Sequence, residues 1–496
     1  MEKKTISTIK TLSCNKKKFF SGLESKKNKE IDDDYYNVID KYKVFFYDVE
    51  IFKSKCNNQN KDTTYYRAEI NSEEYFPSQR EIRRLFVDYV SVNQFNSFKS
   101  SKISEIWTFN KIYNLIEEFI EKNYNISIKE KKNLSIYLWI IVMQFQKIAP
   151  LLLDDLINEI YLLPKNRNPI IDHSLHGRIS FFYTYSPLEV NYIIKKIARE
   201  NKKDLTMINP SFKGDFYFKP FFSIRITGDI KPYSFEGPTA NIRKLRTIPF
   251  LLKDLEENNT ITKEVFEFLS YLICIPVNMT IIGPPNSGKT TLQTCLLNLL
   301  PNFWRIISFE QTLEFIPQEN QHPHLIRYKF PNYQGSNVKM TIFSQLSHLL
   351  HRSPDFVNLG EITNSQEAFA WYQILSSGII SMQTLHAAGI HSIISRIKNI
   401  LEIPNDLLIS SFPHIFVFIN KKWLGKKIQR RVESIGELVS NNINEITISP
   451  IFQLNPKNNK LVMIKSLENL KIWDYLFDKS KSVHLYDLKK LISIKL

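Results

Sequence analysis

The chain has 496 residues, 43% of them hydrophobic and 23% charged, enough for a sizeable apolar core in two to four domains of about 150 residues each. Sixty-six Lys and Arg against 50 Asp and Glu leave a formal charge of +16, which suits nucleic acid, an anionic membrane surface or acidic partners without choosing among them. Cys14, Cys56, Cys274 and Cys295 show no CxxC spacing, so neither a disulfide framework nor a cysteine zinc site is indicated, and the charged N-terminus lacks the apolar run of a secretory signal.

Residues 1–40 read as a disordered basic tail, with nine Lys against three Glu in the first 30 residues and an acidic close at Asp32, Asp33 and Asp34. Residues 41–145 read as an N-terminal extension. It starts β-rich at Val44, Phe45, Phe46 and Tyr47, loops over 57–62, and turns helical over 80–146, where Ile112, Leu115, Ile116 and Phe119 recur at helical spacing. The apolar run Leu134–Met143 stops at Gln144, Gln146 and Lys147, short of the ~20 residues that a membrane span needs. Residues 146–245 read as a second, smaller α/β unit, with strand-like runs Ile179–Tyr183 and Phe221–Thr227 flanking a helix near Leu188–Arg199. Residues 246–256 read as a linker. The run Val265–Ile282 is broken by Glu267, Pro276 and Asn278, so it reads as a helix and a short strand rather than a span. Over 257–490 strands and helices alternate, which predicts a parallel α/β sheet, and Pro450–Ile464 closes as strand, turn, strand.

The strongest local signal is Gly283-Pro284-Pro285-Asn286-Ser287-Gly288-Lys289-Thr290, which meets every fixed position of the G-x-x-x-x-G-K-[ST] loop. A short β-prone run, Asn278–Ile282, precedes it, and an apolar-periodic helix, Thr291–Leu300, follows. Glycine lets the backbone curl so that its N–H groups point at phosphate, and the helix N-terminus adds its dipole. Residues Gly283 through Thr291 are thus the candidate nucleotide site. Lys289 is placed for the β- and γ-phosphates of ATP, and the Thr290 hydroxyl for Mg²⁺.

A second carboxylate follows about 70 residues on. Phe356–Leu359 reads as a short strand, and Glu361 falls just past its C-terminal end, the edge where open parallel sheets bind ligands. There it can orient and deprotonate an attacking water, or meet the metal through water. A third element, Ser376–Ala387, predicts a helix end at Gly378 and a strand ending at His386. From position alone, His386 reads equally as a γ-phosphate sensor and as a structural histidine.

These blocks, in this order, resemble the secretion-type ATPase superfamily, which includes type II secretion, type IV pilus, archaellum and conjugation motors, and the fit is nearest its archaeal branch. The Walker A loop of that family matches Gly283–Thr290. Its acidic box matches Phe309-Glu310-Gln311-Thr312-Leu313-Glu314, its Walker B segment Pro354–Glu361 with Glu367 and Ala368, and its histidine box Gly378–Thr384 with His386 and Ala387. Upstream, Ala149–Ile160, His176-Gly177 and Pro210 fall where family markers do. Ile224-Arg225 and Ile242-Arg243-Lys244 resemble its two N-domain arginine motifs, and downstream Ile403-Pro404, Arg430-Arg431-Val432 and Glu437 match the archaeal pattern. The resemblance covers roughly residues 145–465.

The resemblance implies a RecA-like P-loop motor domain behind a smaller α/β N-domain, a hexameric ring, and Mg·ATP bound between the two domains. It adds Glu314 and His386 to Glu361 as catalytic-site residues and makes Arg225 and Arg243 arginine fingers. It also implies a cytoplasmic protein, without a transmembrane segment, docked peripherally on a polytopic membrane platform. Gln311 stands where the family carries Asp, Ile379 where it carries His, and Thr363 and His351 where it carries Arg, so the chain reads as a divergent member. Two other classes compete: a nucleic-acid translocase of conjugation type, which the lack of an aromatic-interleaved basic groove disfavours, and a weakly active regulatory paralogue, which the retained Glu361 disfavours. The basic run Lys421–Lys427 reads as a solvated hairpin face or as a contact for anionic lipid or a membrane partner.

Overall fold

The computed structural model describes residues 36–470 apart from 55–62, 72–83, 85, 88, 90–107, 219–220, 247–248, 274, 276, 319–320, 330–347, 426, 443–444, 456, 458–459 and 466–468. Residues 1–35 of the expected tail, most of the 80–107 part of the helical expectation, and Cys14, Cys56 and Cys274 lie outside the described residues, whereas residues 36–40, expected as tail, begin strand β1 (Tyr36–Val44) because they pair with the strand that follows. The chain divides into two compact units, residues 1–245 and 246–496.

In the first unit, β1 (Tyr36–Val44), β2 (Tyr47–Ser54) and β3 (Thr64–Ile70) form an antiparallel meander. Helix α1 (Phe109–Asn123) buries Phe109, Ile112, Tyr113, Ile116, Phe119 and Ile120, a stripe at 3.6-residue spacing. Helix α2 (Ile128–Met143) begins in a capping box between Ser127 and Glu130. From Leu134 to Ile141 it is buried on every face, which is why its sequence shows no amphipathic stripe. A short helix α3 (Ala149–Leu153) leads to β4 (Ile157–Leu162), β5 (Ile170–His173) and β6 (Gly177–Phe181). Helix α4 (Pro187–Glu200) carries a second capping box, Ser186 with Glu189, and Pro187 at its first turn. Strands β7 (Ser211–Phe218), β8 (Phe222–Asp229) and β9 (Thr239–Leu245) complete one nine-stranded sheet, ordered β1-β2-β3-β6-β5-β4-β9-β8-β7.

Among the described residues that sheet has a single parallel pairing, β3 with β6 at Tyr65↔Ser180 and Tyr66↔Phe181. It joins the extension strands to the rest, so one sheet runs across the expected 145/146 boundary. A buried polar relay fastens the join. The Nδ1 of His173 accepts from the backbone N–H groups of Leu175 and His176, so its Nε2 carries the proton and donates to the Tyr42 hydroxyl at 2.9 Å. Tyr42 in turn donates to the Asp154 carboxylate at 2.7 Å, and Tyr66 donates to the same oxygen at 2.9 Å. Asp154 is thereby satisfied although only 2% exposed.

The second unit opens with α5 (Leu252–Glu257), inside the expected 246–256 linker, and α6 (Lys263–Leu272). There follow β10 (Asn278–Ile282), α7 (Lys289–Leu297), β11 (Ile306–Glu310), β12 (Ile326–Lys329), β13 (Phe356–Leu359), α8 (Ser365–Ser376), β14 (Ile380–Leu385), α9 (Ser392–Asn399), α10 (Asn405–Ser410) and β15 (His414–Leu424). The antiparallel strands β16 (Lys427–Asn442), β17 (Glu445–Asn455) and β18 (Lys460–Met463) extend the sheet, whose order is β12-β11-β13-β14-β10-β15-β16-β17-β18. The first six strands in that order are parallel. Their residues are buried on both faces because helices cover both, as in β10, where all five residues are buried and the polar Asn278 and Thr280 are hydrogen-bonded. One face packs Leu292, Leu296 and Val265 against Val417 and Ile419, the other Trp371, Ile393 and Leu408 against Phe416 and Phe418.

Candidate functional site

Strand order fixes the geometry. The loop strand β10 and the carboxylate strand β13 are separated by one strand, β14, so their C-terminal ends stand on the order of 10 Å apart. A span of that size has room for a phosphate and a water above the strand between, β14, and His386 directly follows that strand's end. The residues predicted from separate stretches of sequence therefore meet on one edge of the second unit.

Gly283 follows directly on β10, and a side chain there would collide with the carbonyl of Ile419. Gly288, the N-cap of α7, has φ +98°, a conformation glycine takes at no steric cost. Pro284 and Pro285 between them carry no N–H, which leaves the cradle to the backbone of residues 286–290 and the first turn of α7, including Thr290 and Thr291. Asn286 also has positive φ, at 62°. Ser287 is fully buried and its hydroxyl has no hydrogen-bond partner in the protein, an orphan donor inside the loop. Lys289 is 7% exposed and donates to the Pro284 carbonyl at 3.1 Å.

A line of three side chains crosses the gap. The Lys289 ammonium lies 3.1 Å from His386 Nδ1, which is also 3.3 Å from the Gly283 carbonyl, and Nε2 faces Glu361 Oε1 at 2.6 Å. Glu361 and His386 are about one-third exposed, at 34% and 38%, while Glu361 Oε1 itself is buried. Backbone ties hold the strand ends in step: Thr384 Oγ1 donates to the Gly360 carbonyl at 2.6 Å, and Gln293 on α7 donates to the Leu359 carbonyl at 3.0 Å. A buried cation, a curled N–H cradle with an orphan hydroxyl, and a hydroxyl at Thr290 fit a Mg-bound nucleoside triphosphate.

The acidic box divides its labour in a way the sequence did not reveal. Glu310, at the end of β11 and 3% exposed, accepts from the Ser308 hydroxyl at 2.9 Å and from the backbone N–H groups of Glu314 and Phe315, both at 2.8 Å. Arg327 Nε lies 3.3 Å from Oε1, the oxygen that also receives the Ser308 hydroxyl. Glu310 thus builds the turn that carries Glu314; its signal, a carboxylate ending an otherwise apolar strand, was present in the sequence. Thr363 is held in a structural role. Its N–H and hydroxyl both bind Glu367, at 2.8 and 2.9 Å, while Asn364 caps α8. Ile379 packs on the apolar core beneath α8, and His351 is exposed.

Arg225 and Arg243 lie in the first unit. They are direct cross-strand partners on β8 and β9. Arg225 Nε sits 3.3 Å from Asp215, and Arg243 Nε 4.0 Å from Glu159. The register continues as Asp215↔Arg225↔Arg243↔Glu159, so two guanidinium groups stand side by side with a carboxylate at each flank. Like charges directly opposite on a sheet repel, and this pair is offset by its carboxylates.

Strand order, phosphate loop and carboxylate together define the second unit as a RecA-like P-loop NTPase fold, preceded by an α/β N-terminal unit. Residues 223–422 match the family model described as Type II/IV secretion system protein, which supports the resemblance to the type II/IV secretion ATPase superfamily. The matched stretch begins in β8 and includes Arg225, Arg243 and the whole loop edge. An uncharacterised protein of the archaeon Methanocaldococcus jannaschii is 23% identical over 368 residues, 73% of this chain and 65% of the relative. Protein VirB11 of Agrobacterium fabrum is 27% identical over 192 residues, 35% of this chain and 55% of the relative. The chain thus spans less than two thirds of either. The crystal structure of the pilus retraction motor PilT with bound ADP aligns with a TM-score of 0.43 at 16% identity, covering 71% of this chain and 89% of that one. No helix among the described residues is long and apolar enough to cross a membrane.

Proposed function

We propose that this protein hydrolyses Mg·ATP and uses the energy to drive a membrane-associated secretion or pilus-type machine. The observation that carries the reading is the Lys289–His386–Glu361 line at the sheet edge, beside a loop built to hold phosphate. Bound nucleotide supplies the phosphoanhydride bond, and Mg²⁺ neutralises its charge. Lys289 and the N–H groups of residues 286–290 bind the phosphates, and Thr290 supplies a metal oxygen ligand. A γ-phosphate attracts Lys289 away from His386 Nδ1. His386 then keeps its Nε2 proton toward Glu361 and orients that carboxylate, which accepts the proton of the attacking water. Glu314 completes the acidic side of the site.

Arg225 and Arg243, paired on their sheet, serve as the fingers that meet the spreading γ-phosphate charge in the assembled ring, an effect worth ~10³–10⁵ in turnover. The assembly is a homohexamer, cytoplasmic and docked peripherally on a polytopic platform protein. The work is assembly of a pilus- or archaellum-like filament, or protein secretion. Support for these finer points comes from the family resemblance and from the retained motif residues.

A second reading, a nucleotide-binding regulatory member with little turnover, is favoured by Gln311, Ile379 and the structural employment of Thr363 beside the helix cap. Steady-state phosphate release by the full chain separates the two. Turnover that depends on Mg²⁺ and on Glu361 supports the motor. Tight ATP binding without turnover selects the regulatory reading.

A further inference from the structure

The β15–β16 hairpin, which the sequence offered as a solvated basic face, leans on the phosphate loop. Register places Ile419 opposite Val432, Asn420 opposite Arg431 and Lys421 opposite Arg430. The Ile419 carbonyl is the group that bars a side chain at Gly283, so the hairpin's base forms one wall of the loop. Arg430 extends from that wall. Its Nε donates to the Asn286 carbonyl at 3.0 Å, and its Cδ methylene would lie 3.5 Å from a β-carbon on Gly288.

We propose that Arg430 is a positioning residue for nucleotide binding, which holds Asn286 in its left-handed turn and so fixes the phosphate loop in the curled form. The inference rests on the reading of this loop as the nucleotide site. The physical case has three parts. Asn286 is a residue with a β-carbon at φ +62°, a left-handed conformation that glycine takes more freely. The turn's own hydrogen bond, from the Ser287 N–H to the Pro284 carbonyl, is long at 3.3 Å, and Pro284 and Pro285 have no N–H to add another. A charge-assisted bond from a guanidinium to the Asn286 carbonyl reinforces that turn, at about twice the strength of a neutral bond. It also carries a positive charge to the loop's outer side, where it adds to the field of Lys289. Arg431, the next residue on the strand, points to the other face and lines a separate pocket with Gln429, Thr262 and Glu264.

The test measures equilibrium binding of a fluorescent ATP analogue and of its ADP counterpart to the full-length protein, with kcat and KM on the same samples. The variants are Arg430→Gln, Arg431→Gln, Asn286→Gly, the Arg430→Gln/Asn286→Gly double and Lys289→Ala. Arg430→Gln is expected to weaken both nucleotides about ten-fold, the loss of one charged hydrogen bond, and to raise KM with kcat held within about two-fold. Arg431→Gln is expected to bind as the wild type does. Asn286→Gly in the double variant is expected to recover most of the lost affinity, because glycine needs no lock; a purely structural role for Arg430 would show no such recovery. If Arg430→Gln does not fold, Arg430→Lys takes its place, with the same loss and the same rescue expected. Wild-type affinity in Arg430→Gln, or a double variant no better than the single, overturns the proposal. Failure of the wild type itself to bind nucleotide more tightly than Lys289→Ala is a different result, and overturns the nucleotide-site reading on which it rests.

Discussion

His386 is the residue on which the site turns. Its two ring nitrogens face opposite charges, Lys289 on one side and Glu361 on the other, at 3.1 and 2.6 Å. His386→Ala removes an acceptor that competes with phosphate for Lys289, and it also removes the group that aims Glu361. ATP affinity is therefore expected to hold or rise while kcat falls about ten-fold or more, a split that paired binding and turnover measurements reveal. Equal losses in both would make the histidine merely structural. Position at a strand end in the sequence left those two roles open; the two contacts favour the positioning role. Glu310 shows the opposite case. It lies in a motif that the sequence displayed, yet its work, accepting two backbone N–H groups of the acidic turn, depends on a fold of the chain that no spacing reveals.

Among the elements, the three strands at the centre of the second unit share a buried polar network as well as an apolar core. His414 on β15 is fully buried, with Thr280 of β10 at 2.6 Å from Nε2 and the Ser411 hydroxyl at 3.0 Å from Nδ1. Gln383 of β14 donates to Thr280, accepts from Ser381, and Ser381 accepts from Trp371 of α8 at 2.9 Å. Every one of these neighbours is neutral, so burial holds the His414 ring uncharged, down to about 3 from its usual 6.5. The sign follows from linkage. The folded pKa is depressed, so the unfolded chain binds the proton first. The contribution of His414 is complete above pH 6.5 and is lost as pH falls toward 3. Calorimetric unfolding is expected to show stability dropping by up to about 1.4 kcal/mol per pH unit across that window from this residue, with His414→Gln reducing the slope. An unchanged slope in that variant would contradict the assignment.

The elements were also where the sequence was most legible. Strands β10 and β13 and helix α4 lie where apolar runs, Ser186 and Pro187 put them, because capping and burial are written locally. Helix α2 was harder to read, since a helix buried on all faces shows no stripe. The pairing of β3 with β6 was not legible at all: its partners lie 115 residues apart at Tyr65 and Ser180, and nothing local in either strand specifies the other.

At the scale of the molecule, the charge of +16 left open whether the partner is nucleic acid or a membrane machine. Charge excess is a statement about association, not about fold. In the first unit the described arginines Arg225, Arg243 and Arg178 are paired in register with carboxylates Asp215, Glu159 and Asp172 across six strands. A face of mixed sign, with each arginine beside a carboxylate, suits the closing of one protein surface on another better than it suits a polyanionic backbone. Double-stranded DNA at low salt is accordingly expected to leave ATP turnover within about two-fold of its basal value. A salt-sensitive stimulation of ten-fold or more would move the assignment to a nucleic-acid motor.

The most direct test of the central claim is steady-state ATP hydrolysis by the full chain beside Glu361→Gln and Lys289→Ala, with light scattering on the same samples. The account predicts a Mg²⁺-dependent turnover in a six-fold assembly. It predicts that Glu361→Gln lowers turnover by ~10²–10⁴ while still binding ATP, and that Lys289→Ala loses binding itself. Turnover unchanged in Glu361→Gln, or a wild type that binds ATP without ever cleaving it, would contradict the account.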